Sequence, residues 1–215
     1  MKKAPVKKLV LLAVFAALAY VIVFFVRIPA VAFLKYEPKD VVITIAGFIF
    51  GPFASVIISA LVALLEMVTI SETGPIGALM NLLSSCAFAC PAAILYKYRR
   101  TLLGAVGGLL VGTVTMVAVM LLWNWLITPL YMGVPREAVE AMLLPTFLPF
   151  NLIKAGLNSA LTLCLYKPLV TALRKTRMLD TPAPAEKSSQ FGIYLLGGIL
   201  LITGILLFLV LQGKI

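Results

Sequence analysis

The chain has 215 residues, of which 62% are hydrophobic and 12% charged, with a mean hydropathy of +1.11. A soluble domain of this length has too little interior for so much apolar surface, and the apolar runs are continuous rather than alternating, which argues against a barrel. The net charge of +10 sits in short Lys and Arg clusters beside apolar runs, as in membrane-flanking loops, and nothing resembles a folded nucleic-acid-binding module.

Lys2, Lys3, Lys7 and Lys8 precede the first apolar run. Ala17-Leu18-Ala19 resembles a signal-peptidase site, but the run continues through Val26, longer than a signal-peptide core. A retained first helix is therefore expected, from about Lys8 to Arg27. Ile28 to Lys39 reads as a loop, and Asp40 is placed to cap a short second helix ending at Phe50. Gly51-Pro52 breaks the chain before helix 3, Phe53 to Ile70, and Ser71 to Pro75 is a turn. Helix 4 spans Ile76 to Leu95 and helix 5 spans Leu103 to Tyr131, with Pro129 near its end. Met132 to Leu144 reads as a surface loop or interfacial turn, and helix 6 covers Pro145 to Leu173, with Pro149 in its first turn or marking its start. The domain plan is a six-helix core over residues 1–174, a polar cytoplasmic linker over 175–190, and an additional transmembrane helix within 191–215. The fold class is thus an all-α polytopic transmembrane bundle.

A cytoplasmic N-terminus with six crossings gathers Lys97, Arg99, Arg100, Arg174, Lys175, Arg177 and Lys187 on the inner side. Outside fall Arg27, Lys35, Lys39, Arg136 and, beyond the last helix, Lys214. The three cysteines, Cys86, Cys90 and Cys164, lie in apolar segments and read as packing residues. With no histidine in the chain, the Cys86/Cys90 pair is a poor metal site and no metal is expected.

Polar side chains in hydrocarbon are costly unless they face a partner or a cavity. Glu66, Asn81, Asn124, Asn151 and Lys154 fall roughly 6 to 14 Å below the external helix ends, taking 1.5 Å per residue. Asn151, Lys154 and Asn158 share one face of helix 6. The favoured reading is a pocket that opens outward. The alternative is that the asparagines join helices and Lys154 pairs with Glu66. Amide edges, one ammonium and the nearby Trp123, Trp125, Tyr131 and Phe150 suit a neutral aromatic heterocycle. Lys35 and Tyr36, in the external loop, join Asn124, Asn151, Lys154, Asn81 and Glu66 as candidate binding residues.

The chain lacks G-x-x-x-x-G-K-[ST]. Gly107 and Gly112 have the glycine spacing, but Thr113-Val114 follows, so these glycines read as helix packing. No acid-base pair is convincing, and a transport subunit is favoured over an enzyme. Ala13 and Ala17 form a small-xxx-small pair on helix 1, readable as ordinary packing or as a docking face.

Four stretches together resemble the substrate-binding (S) component of an energy-coupling factor (ECF) vitamin transporter of the riboflavin type. They are Phe33-Leu34-Lys35-Tyr36-Glu37-Pro38-Lys39-Asp40 with Gly47 and Gly51-Pro52, Thr73-Gly74-Pro75-Ile76-Gly77 leading to Met80-Asn81, Trp123-Asn124, and Phe150-Asn151 with Lys154. The resemblance spans about Lys7 to Arg174. It implies six helices in a prokaryotic plasma membrane and an external riboflavin pocket closed by the helix 1–2 loop. It also implies that Asn124, Asn151 and Lys154 contact the flavin ring and that Ala13 and Ala17 dock onto a transmembrane T component. Two separate ATPase subunits would power the importer. Riboflavin would be the transported ligand rather than a cofactor. A biotin-type S component and a self-sufficient secondary transporter using Glu66 and Lys154 as a relay are the alternatives. The last helix lies beyond the six-helix pattern.

Overall fold

The structure, a computed structural model, describes residues 3–31, 34–71, 73–175 and 190–211. The expected linker and Glu72 of the external turn lie outside the described residues, apart from the linker's two ends. The helices are α1 (Lys3–Phe25), α2 (Lys39–Phe50), α3 (Pro52–Thr69), α4 (Gly74–Tyr98), α5 (Leu102–Met132), α6 (Arg136–Met142), α7 (Leu148–Lys175) and α8 (Gln190–Leu211). Among the described residues, five segments are long and apolar enough to cross a membrane, and they lie in α1, α3, α4, α5 and the α6–α7 run.

The shortest core helix sits at the centre. With 12 residues α2 is about 18 Å long, less than a hydrocarbon core. It is buried on every side from Lys39 to Phe48 and packs against α1, α3, α4 and α7. A helix that meets protein all round has no polar face, which explains its unbroken Val-Val-Ile-Thr-Ile-Ala run. Gly51 ends it at φ +96°, a conformation that favours glycine, and Pro52 opens α3 at once. One apolar cluster joins α1, α2 and α3 through Phe15, Ile43 and Ile58; another joins α2, α4 and α5 through Phe48, Phe88 and Met116.

Glycines bring α4 and α5 together. A Cβ on Gly108 would lie 2.7 Å from the Ala92 carbonyl oxygen, and one on Gly112 would collide with the Phe88 carbonyl. Both positions therefore serve close helix packing, whereas a Cβ on Gly107, read from sequence with Gly112 as a packing glycine, would meet only Leu95 Cδ2 at an ordinary 3.6 Å.

Three local features differ from the sequence reading. The expected loop after helix 1 contains an antiparallel hairpin, β1 (Ile28–Val31) and β2 (Leu34–Tyr36), with Ile28 opposite Tyr36 and an irregularity between Pro29 and Val31. Strands of four and three residues are too short to leave a periodic signal. The segment expected as a loop or interfacial turn contains α6, which leads through a π-helical turn (Leu143–Phe147) into α7. That wider turn accommodates Pro145, and α7 opens with Pro149 at its second residue; neither proline has an N–H to donate. Finally, Asp40 does not cap α2: Pro38 holds the cap position without a side-chain bond, and the Asp40 carboxylate turns inward.

Candidate functional site

Beneath the hairpin, a cavity of about 270 Å³ is enclosed by β2, α3, α4, α5 and α7. Its size is near the lower end of small-molecule sites, roughly 300 Å³. Lys35 enters from the hairpin, Glu66 from α3, Asn81 from α4, and Asn151 and Lys154 from α7. Five residues singled out in sequence therefore meet at one place. Tyr131, Phe150, Met80 and Met120 supply apolar and aromatic wall. A smaller cavity, about 30 Å³, adjoins it through the shared Thr73, Met80 and Tyr131, and Trp123 and Thr128 line it too.

Asn124 and Tyr36 stand behind these walls. The Asn124 amide donates to the Met120 carbonyl at 2.7 Å, and its oxygen accepts from the Thr128 hydroxyl at 2.9 Å. It thus braces residues of both cavities. The Tyr36 hydroxyl donates to Asn158 Oδ1 at 3.0 Å, and burial, then the nearby Asp40 carboxylate, raise its pKa and keep it a donor. Of the remaining aromatic candidates, Trp125 lies away from the cavity, donating to Glu140 Oε1 at 2.8 Å with the Arg136 guanidinium 4.9 Å above its ring.

The cavity borders a cluster of three cations and three carboxylates. Lys39, completely enclosed, donates to Glu37 Oε2 at 2.8 Å and to Glu66 Oε1 at 2.5 Å. Arg27, at the end of α1, donates to Glu37 Oε1 and to the Ile70 carbonyl, each at 2.9 Å. Asn81 donates to the second Glu66 oxygen at 2.6 Å. Asp40 accepts from Ser85 at 2.5 Å and Asn158 at 3.4 Å, and Lys154 Nζ lies 3.8 Å from its Oδ2. The Lys154–Glu66 pairing considered from sequence is not formed; Lys39 takes Glu66 and Asp40 faces Lys154. Burial alone would raise the Glu37 carboxyl, but Lys39, Lys154 and Arg27 outweigh it and bring it from an ordinary 4.5 down to about 2.

Arg27, Glu37, Lys39 and Asp40 escaped the sequence reading of the site because a mixed-charge loop beside a helix end reads as a solvated surface. Their alternation of sign over Glu37-Pro38-Lys39-Asp40 was the available signal, since opposite charges so close together satisfy one another when enclosed.

The match to known proteins follows this geometry. Residues 7–166 match the family model for the ECF transporter, substrate-specific component. The chain belongs to that family. The S component described here is 28% identical over 178 residues to the riboflavin transporter RibU of Staphylococcus aureus (strain TCH60), a match covering 79% of this chain and 93% of that protein. It is 30% identical over 162 residues to the riboflavin transporter FmnP of Bacillus subtilis (strain 168), covering 69% of this chain and 84% of that one. A solved S component of a bacterial ECF transporter superposes with a TM-score of 0.66 at 28% identity, covering 78% of this chain and 98% of the other. It is therefore a membrane transport subunit. All residues lining the larger cavity fall within the matched region, whereas α8 lies beyond it.

Proposed function

We propose that this S component captures riboflavin from outside the cell and delivers it to an ATP-driven ECF importer. The carrying observation is one cavity that joins Asn81, Asn151 and Lys154 to the aromatic walls of Tyr131 and Phe150, in a chain whose relatives are riboflavin transporters. Amides supply donors and acceptors for the imide-like edge of a flavin ring, Lys154 supplies one more donor, and the aromatic walls suit its faces. Lys35 and Glu37 on the hairpin side are then positioned toward the ribityl chain, with Glu66 reached from below. Asn124 and Tyr36 act by holding the walls.

In this reading the N-terminus is cytoplasmic and the hairpin end faces outward, in accord with the cationic inner loops. Ala13 and Ala17 are exposed on α1, away from the buried Ala16, and offer a smooth face to a T component. Two ATPase subunits complete the importer. Riboflavin is cargo and no resident cofactor is invoked.

Titrating riboflavin fluorescence with detergent-purified protein tests the assignment. Saturable quenching at one vitamin per chain, unaffected by excess biotin, is expected. No flavin response, together with saturable binding of labelled biotin, would transfer the pocket to a carboxylate-bearing vitamin. The buried charge cluster favours a second reading, a self-sufficient carrier coupled to protons or ions. That reading requires gradient-driven uptake by vesicles containing this chain alone, where the importer reading expects none.

A further inference from the structure

α8 lies beyond the family match, which ends at residue 166, and 98% of the solved S component is covered by 78% of this chain. Yet α8 packs closely on α7. Gly197 rests on Cys164 and Gly204 on the Leu157 side chain, where a Cβ at 204 would come 2.6 Å from a Leu157 methyl. The two helices run antiparallel, so the C-terminal end of α8 arrives beside the hairpin. There the Phe208 ring sits 6.1 Å from the Tyr36 ring, edge to face, and both are buried in one cluster with Ile153 and Leu157.

Tyr36 lies between Lys35 and Glu37, which both line the cavity, while its own ring points to the opposite side. Its hydroxyl holds Asn158, Asn158 holds Asp40, and Asp40 faces Lys154. A contact on Tyr36 therefore bears on the hairpin and on the cavity ammonium together.

We propose that Phe208 is a positioning residue: by clamping Tyr36, the additional C-terminal helix holds the hairpin over the cavity and slows release of bound vitamin. The vitamin half of this statement rests on the riboflavin reading above; the hairpin half does not.

The test uses the full-length purified protein and its Phe208→Ala, Phe208→Leu, Tyr36→Leu and Tyr36→Leu/Phe208→Ala variants. Two quantities are followed: the riboflavin dissociation rate, and hydrogen exchange of amides 28–37 in ligand-free protein. Phe208→Ala is expected to speed dissociation about 5- to 10-fold, the size of effect an aromatic pair supports. It should quicken hairpin exchange while α4 and α5 keep their protection. Phe208→Leu, which keeps most of the packing, should fall between, and adding Phe208→Ala to Tyr36→Leu should change nothing further. Wild-type dissociation and hairpin exchange in Phe208→Ala would overturn the proposal. So would an equal rise of exchange through α4 and α5 in both Phe208 variants, which would make Phe208 general packing. If wild-type protein ignores riboflavin, the functional reading fails, and hairpin exchange alone decides whether Phe208 clamps Tyr36.

Discussion

Lys154 reaches the cavity from α7 with a carboxylate of Asp40 behind it, so its ammonium is aimed by an ion pair without being consumed by it. A hydrogen bond to a charged group contributes about 1.5–3 kcal/mol, or about 10- to 100-fold in affinity. Lys154→Ala is therefore expected to weaken riboflavin binding by that factor while the protein still folds; an unchanged dissociation constant would remove Lys154 from the site. Glu37 provides a second test through pH. Its folded pKa, about 2, lies below the ordinary 4.5, so its contribution is complete above pH 4.5 and disappears as pH falls toward 2. Wild type should melt higher than Glu37→Gln near neutral pH, and the gap should narrow through that acid window. A gap independent of pH would mean that Glu37 is not held ionised by its cationic neighbours. The individual site residues were legible to different degrees. Lys154, Asn151, Asn81 and Glu66 stood out because an ionisable or amide group in an apolar helix is conspicuous. Lys39 and Asp40 did not, because charges at a helix end are ordinary until the structure encloses them.

Among the elements, α4 and α5 make the most extensive helix pair, and glycines make that approach possible. Gly108→Leu has no room against the Ala92 carbonyl and should lower the melting temperature or abolish folded expression, with a cost of about 1–3 kcal/mol from overpacking. Expression and melting at wild-type values would show that the two helices separate without penalty. The long helices could be read from sequence because each is a continuous apolar run ended by glycine, proline or charge. The hairpin could not, since its strands of four and three residues are stabilised by what they cover rather than by their own pattern. Nor could the α6–π-turn–α7 path, where Pro145 is absorbed by a widened turn and Pro149 by the first turn of α7.

For the whole molecule, the central fact is a division of surfaces. The polar residues converge beneath the hairpin, whereas α1 turns Ala13 and Ala17 away from the core. If α1 docks through these alanines as proposed, binding and docking are separable. Replacing both alanines by tryptophan should leave riboflavin affinity unchanged and stop uptake by the assembled importer. Uptake at the wild-type rate would place the docking face elsewhere. The order of the long helices was accessible from hydropathy, although the six crossings expected of the core meet five membrane-length segments among the described residues, α2 being too short to span. The docking of α8 was not, because a helix that is apolar all round carries no mark of which face meets protein. The most direct test of the vitamin assignment is the visible absorption spectrum of protein purified in detergent from riboflavin-containing cells. A flavin spectrum with about one releasable riboflavin per chain is expected. A colourless protein that also fails to acquire the spectrum when riboflavin is added would contradict the assignment.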